Sequence, residues 1–404
     1  MTSLQTPLRL ATLFALGLTL GLFGCKRPDA DAATNGAPQP AETLTAGQLI
    51  SQALDLTKTA AVAEPPLERT STRTDREKYL EAVGLALEKL RNVPAGSRFA
   101  GDPPVSMFPI ERAPEVLRLG RLFAVDLADA VDRNEPERAA AVLRAAFNSS
   151  DYLSTESVSA SVAAAGVADM LGTGLVSVGK QLDSHLSERL VHELDRLESV
   201  TQSATAALDN ERARLAAWCK SLSESKESKQ IDELVQGVTG QSSGRFQADE
   251  QLLRDLRQFA KRTSGESDSI PADVIAQECE LAVSTATQVL DAASEGRAAP
   301  LVLPDPAQHP LAVLYLSVMR PWLEAAPTIA ALRLESLRLL KLHIQILALG
   351  LPDTLDSFGE TAKSPVNGQP FQYRKSDTEY ELLRPRLAPP KAGTTTSNDR
   401  SIKG

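Results

Sequence analysis

Apolar residues return at helical spacing over most of this chain. Leu186, Leu190, Leu194 and Leu197 share one stripe of a helix predicted over Ser184–Ser199, with charged residues opposite. Leu80, Val83, Leu87 and Leu90 mark a second amphipathic face, and Thr74 with Glu77 has the spacing of a capping box that would start that helix. A shorter helix is expected over 48–59. Pro114 and Pro136 suit the first turns of two antiparallel neighbours, one carrying Val116, Leu119 and Phe123, the other Val142, Leu143 and Phe147. The stretch 154–180 is rich in Ala, Ser and Gly, so another helix can approach it closely. Further helices are expected through Trp218 and Cys219, over 247–262 and over 271–293.

The interruptions divide the chain. Residues 92–114 hold five prolines and read as a long loop. Residues 221–246 turn polar, with Gly237, Gly240 and Gly244, and are expected to form a flexible excursion. The strongly apolar segment 308–349 is expected to divide or kink at Pro321 and Pro327. Its Leu340 to Ile346 alternate as a strand would, but no breaker falls between Thr328 and Leu349, and Gly350 with Pro352 makes a helix stop. Beyond it, Asn367-Gly368 is a strong turn signal. Phe371 and Tyr373, then Tyr380 and Leu382, alternate with polar residues around Ser376-Asp377-Thr378, predicting an antiparallel hairpin. The expected fold is therefore all-α, a multi-helix bundle or array spanning 46–350, with a small β-hairpin module at 351–388 and a disordered tail at 389–404.

The amino terminus differs from the rest. Arg9 precedes an uncharged apolar run from Leu10 to Phe23, long enough for a signal peptide and too short to span a bilayer. Leu22, Gly24 and Cys25 resemble a bacterial lipoprotein lipobox, with Phe23 where a small or aliphatic residue is usual. The resemblance implies cleavage of residues 1–24 and lipidation of Cys25. Lys26 in place of Asp favours the periplasmic leaflet of the outer membrane. Residues 25–45, polar and with three prolines, would then tether the body to the membrane.

Composition narrows the function classes. Lys and Arg number 43 against 52 Asp and Glu, a net charge of −9, which makes nucleic acid a poor partner. Aromatics are only 4%, favouring packed helices over a sandwich or barrel. With Cys25 lipidated, Cys219 and Cys279 remain, each on the apolar side of its helix. Two readings stay open for them: a disulfide, stabilising by roughly 4 kcal/mol on chain-entropy grounds, or two separate buried thiols.

No chemical motif is complete. Gly174 to Lys180 has the glycines and lysine of a phosphate loop, but Gln181 stands where a magnesium-holding hydroxyl belongs. Ser177 and Lys180 have Ser-x-x-Lys spacing, repeated at Ser223 and Lys226, without the partner motifs of an acylating serine enzyme. His185, Glu188, His192 and Asp195 share a helical stripe and are weak candidates for metal, since the histidines lie seven residues apart. His309 and His343 are isolated. No cofactor is implied.

Ala331-Leu332-Arg333-Leu334, the stop at Gly350, and Pro365-Val366-Asn367-Gly368-Gln369-Pro370-Phe371-Gln372-Tyr373-Arg374 with Tyr380 resemble an uncharacterised family of helical envelope lipoproteins from planctomycete-like bacteria. That family's hairpin is in turn similar to the C-terminal hairpin of pseudopilins. Here Ser364 and Val366 replace its Asp and Phe. The resemblance implies a helical fold and carries over no catalytic residue. The function expected is a non-enzymatic binding or structural role, anchored to the envelope by lipid and possessing an envelope protein partner. The rivals are an envelope hydrolase assembled from distant residues and a weak metal binder.

Overall fold

The computed structural model describes residues 44–60, 63–67, 71–101, 112–178, 181–199, 205–225, 227–241, 249–265, 268–376 and 380–385. Cys25, the tether as far as residue 43 and the tail lie outside the described residues, while Thr45 caps the first helix. The protein is all-α with a small C-terminal antiparallel hairpin.

Among the described residues, seven helices precede residue 200: α1 (Ala46–Thr59), α2 (Arg73–Ala82), α3 (Gly84–Arg91), α4 (Ala113–Asp132), α5 (Pro136–Ser154), α6 (Val158–Ser177) and α7 (Ser184–Ser199). They share one core, filled by Leu122, Phe123, Leu143, Leu171, Leu175 and Leu190 among others. Helices α8 (Thr205–Ser223), α9 (Ile231–Gln241), α10 (Glu250–Ser264), α11 (Ala272–Ser294) and α12 (Pro310–Ala325) enclose a second core around Leu215, Leu290, Leu314 and Tyr315. Helix α13 (Ile329–Leu349) belongs to the first core through Leu337, Leu340, Ile344 and Leu347. Its other apolar face, Leu339, Leu342 and Ile346, packs on Phe371 of the C-terminal module.

Helix α6 is long and apolar enough to cross a membrane, yet half of it is buried inside the bundle. Its small residues are what admit its neighbours. A Cβ on Gly174 would sit 2.5 Å from the Ala124 carbonyl oxygen of α4, and one on Gly172 would meet the His343 ring of α13 at 2.7 Å.

Local signals shifted by a few residues. The capping box that starts α2 is formed by Thr72 and Asp75, in place of the expected Thr74 and Glu77: each side chain accepts a hydrogen bond from the other's backbone N–H. Thr-x-x-Asp supplies the same two acceptors as Thr-x-x-Glu, so either pair meets the requirement. Val83 ends α2 with non-helical backbone, and α3 resumes at Gly84. Within 221–246, expected as a polar excursion, β1 (Lys229–Gln230) leads into α9, and β1 pairs antiparallel with β2 (Ser269–Ile270). Ile231, Leu234 and Val238 are buried in the second core. Three apolar residues at helical spacing outweigh the serines and glycines around them.

Pro321 sits inside α12, while Pro327 falls in a 3-10 turn (Ala326–Thr328) that separates α12 from α13. After Gly350, a 3-10 segment (Asp356–Ala362) leads to β3 (Gln372–Lys375) and β4 (Tyr380–Leu383), paired with Tyr373 opposite Leu382 and Lys375 opposite Tyr380. Gly368, at φ 69°, makes the turn before β3.

Two glycines of α6 should respond oppositely to the same change. Gly166→Ala meets nothing within 4 Å and should stabilise by about 0.5–1 kcal/mol, as alanine does in an open helix interior. Gly174→Ala must push α4 away and should destabilise by roughly 1–3 kcal/mol. Urea unfolding midpoints measure both; equal effects of the two substitutions would contradict the close α4–α6 contact.

Candidate functional site

A polar seam runs where the two cores meet. It is built from the C-terminal end of α5, the first half of α6 and the start of α13, elements drawn together by the small residues of α6. A cavity of about 50 Å³ lies there, lined by Asp151, Ser154, Ser161, Ala165, Arg333 and Ser336 among others. Arg333 meets Asp151 in a fork, Nε to Oδ1 at 2.7 Å and Nη2 to Oδ2 at 2.9 Å, and Nη2 also donates to the Leu197 carbonyl. Burial pushes the Asp151 carboxyl upward against the lowering influence of Arg333. The seam's hydroxyls are occupied too. Ser154 donates to the Asp151 carbonyl, Ser161 to that of Ser154, and Ser336 to that of Leu332, so none of the three is held by a group that would take its proton.

The seam continues to the hairpin. Arg384, just past β4, donates to Glu335 at 3.0 Å, to the Ala165 carbonyl at 3.1 Å and to Asp169 at 3.0 Å. Ser364 donates to the other oxygen of Glu335 and accepts from the Val366 N–H, which ties the turn before β3 to α13. The Tyr380 hydroxyl lies 2.8 Å from His343 Nδ1. Burial holds His343 down at about 4, so it is neutral at pH 7.

The residues singled out from sequence are distributed elsewhere. His185, Glu188 and His192 are exposed on α7, and Asp195 pairs with Lys341 of α13 at 2.5 Å. Among the described residues no group of three or more His, Cys, Asp or Glu side chains is arranged to hold a metal ion. Seven residues of helix keep His185 and His192 two turns apart, which is too far to share one ion. Ser177 donates to the Gly174 carbonyl inside α6, while Gly179 and Lys180 lie outside the described residues. Gly174 serves helix packing in place of a phosphate cradle. Cys219 of α8 and Cys279 of α11 are both buried, and they stand unbridged in this structure. His309 Nδ1 lies 2.8 Å from Glu278, whose other oxygen accepts from the Ala312 N–H in the first turn of α12.

Other charges are consumed in packing. The α4 acids Asp126 and Asp129 both pair with Arg138, and also with Arg91 and Arg133 respectively. Glu193, 1% exposed at its side chain, is driven up by burial but held at about 2 by hydrogen bonds from Arg144 and Arg196.

A different opening lies on the far side of α11. A groove of about 310 Å³ is lined by Thr285, Gln288 and Val289 of that helix and by Ala299, Pro300, Val302, Leu303 and Pro304 of the connector after it. None of these side chains ionises, and Val302 is 70% exposed. Comparison of the chain with protein-family models, with curated proteins and with solved structures finds no match.

The Asp151–Arg333 pair should behave as a buried unit. Arg333→Leu strands a carboxylate and should cost roughly 3–5 kcal/mol, much of it recovered in the double variant Asp151→Leu/Arg333→Leu. Additive losses in a double-mutant cycle would contradict the pairing.

His343 supplies a pH signature. Its folded-state value lies below the ordinary 6.5, so its contribution is complete above pH 6.5 and is lost as pH falls toward 4. Stability should drop by roughly 2 kcal/mol from this group between pH 7 and 5, and His343→Gln should flatten that part of the profile. Unfolding midpoints across this range check it; identical slopes in the two proteins would contradict it.

Proposed function

We propose that this protein is a bacterial envelope lipoprotein, held by a lipid on Cys25 and a tether over 25–45, whose helical body has a non-enzymatic binding or structural role. The observation that carries the binding role is the contrast between two openings among the described residues. The cavity that gathers ionisable groups is about 50 Å³ in volume, and its carboxylate and guanidinium neutralise each other. The roomier groove beside α11 presents mainly apolar side chains, with Thr285 and Gln288 among them, and no ionisable group. Catalysis needs convergent groups with protons to move, whereas apolar contact area serves association. The lipobox-like Leu22, Gly24 and Cys25 support the anchor, and the acidic net charge of −9 disfavours nucleic acid.

Two measurements test this reading. Fatty-acid labelling of the expressed protein should be lost with Cys25→Ser; unlabelled wild-type protein would remove the anchor. A photocrosslinker at Val302, used in cells on the anchored protein, should capture a specific envelope protein, and one at His192 should not. Recovery of no specific partner from Val302 would sink the binding role.

A further inference from the structure

We propose that Cys219 and Cys279 form an intramolecular disulfide that is made while the protein folds and is then sealed inside the second core. The thiols come from α8 and α11, which pack directly against each other, and they lie within hydrogen-bonding reach of one another. Cys279 is fully buried and Cys219 is 8% exposed. Tyr315 lies near the pair, and its ring meets that of Trp218 edge-on at 5.0 Å. Here both side chains are committed to one buried contact between two helices.

The position of the pair gives the bond a consequence. Between Cys219 and Cys279 run β1, α9, α10 and β2, a run held to itself by the β1–β2 pairing and to the rest of the body by α10 on α12 and by the buried residues of α9. Cys219 lies near the end of the helix that leads into this run and Cys279 near the start of the helix that leads out of it. A bond between them closes the run at its base and removes many open conformations from the unfolded chain.

The chemistry is thiol–disulfide exchange with a disulfide-bearing oxidant. One cysteine, as thiolate, attacks the oxidant's S–S bond and releases a first thiol. The second then attacks the mixed disulfide and releases another. The two cysteines lose two electrons and two protons, and the oxidant is reduced to two thiols. In the folded protein this is obstructed: burial pushes both thiols upward, away from the reactive thiolate, and no oxidant of that size reaches them. Exchange therefore belongs to the period before α8 closes on α11. The same enclosure shields the finished bond from reductants.

That the cell supplies such an oxidant rests on the envelope reading; formation of the bond does not, and a refolding experiment separates the two. Purified protein is denatured with reductant and refolded in a mixture of reduced and oxidised glutathione, or in reduced glutathione alone. After denaturation and alkylation, protein from the first buffer should carry no alkyl group on Cys219 or Cys279, with a 219–279 crosslinked peptide in its digest. Protein from the second should carry two. The crosslinked form should melt several degrees higher, a shift that redox buffer cannot produce in the Cys219→Ala/Cys279→Ala variant. Trp218, beside the new bond, should lose emission on oxidation, and Trp218→Phe should abolish that change.

Folded, reduced protein exposed to oxidised glutathione should acquire the bond at least tenfold more slowly than refolding protein. Two alkylatable thiols after oxidative refolding would overturn the bond, and a lower melting temperature of the crosslinked form would overturn its stabilising closure of the run. Equal oxidation rates of folded and refolding protein would overturn its sealing. A bond that forms in this test but is missing from protein alkylated directly in cells would count against the envelope compartment and not against the bond.

Discussion

The fold depends on how closely α6 can be approached. Helix axes in proteins lie 8–10 Å apart, and the lower end of that range requires small side chains at the crossing. Gly174 lets α6 sit against the backbone of α4 at Ala124, and Gly172 lets the His343 ring of α13 lie on the other side. Gly120 of α4 reciprocates, since a Cβ there would meet Met170 at 2.6 Å. With α4 and α13 seated this way, an apolar helix that would suit a membrane becomes the axis of a bundle. Val158, at its start, already belongs to the second core, so the same helix joins both.

Bringing α6 and α13 together also brings together groups that would otherwise avoid burial. On α13, Arg333 meets Asp151, Ser336 donates to the Ala165 carbonyl, and Glu335 shares Arg384 with Asp169. Removing a charge pair from water costs several kcal/mol, and such pairs seldom return a net gain over apolar replacements. What the pairing does provide is geometry. A forked Arg333–Asp151 contact is satisfied at one rotation and one height of α13, and Arg384 imposes the same demand on the hairpin. The latter is satisfied from four directions at once: Glu335, Ala165, Asp169 and Ser336. A hairpin of four residues per strand, marginal alone, is thereby fixed to the bundle.

How much of this was legible in the sequence follows from the range over which each signal acts. Leucine stripes such as Leu186 to Leu197 report a helix's own inward face, and the structure has them buried as the spacing predicts. The alternation of Phe371 and Tyr373 with polar neighbours likewise reads as a strand because its period is local. The small residues of 154–180 announced a close approach without saying to what; the partners, Ala124 and His343, are 50 and 171 residues from the glycines they touch. The seam was missed for the same reason. Asp151 follows Asn148-Ser149-Ser150 at the end of α5, and Arg333 interrupts an otherwise apolar start of α13. Each is an oddity that acquires meaning only when 182 residues of separation are closed. Helix α9 was hidden by composition, because Ile231, Leu234 and Val238 are few among serines and glycines.

Helix α11 connects the parts of the second core that bear on function. Its Val289 forms one wall of the apolar groove, and the opposite wall is the connector 299–304. That connector has no regular structure; Leu301 and Leu303 pack against the second core, and its two ends are fixed as well. One end follows directly from α11 through the turn at Gly296, φ 72°. The other is set by Glu278, which binds His309 with one oxygen and the opening turn of α12 with the other. Cys279 is the next residue, facing α8. The groove is thus framed by the packing of Leu301 and Leu303 and by a carboxylate that holds the connector's far end, adjacent to a thiol that faces the neighbouring helix. Any rotation of α11 that opened the groove would pull against both contacts, which makes the groove a preformed surface, and a preformed apolar surface loses less conformational freedom on binding than a flexible one.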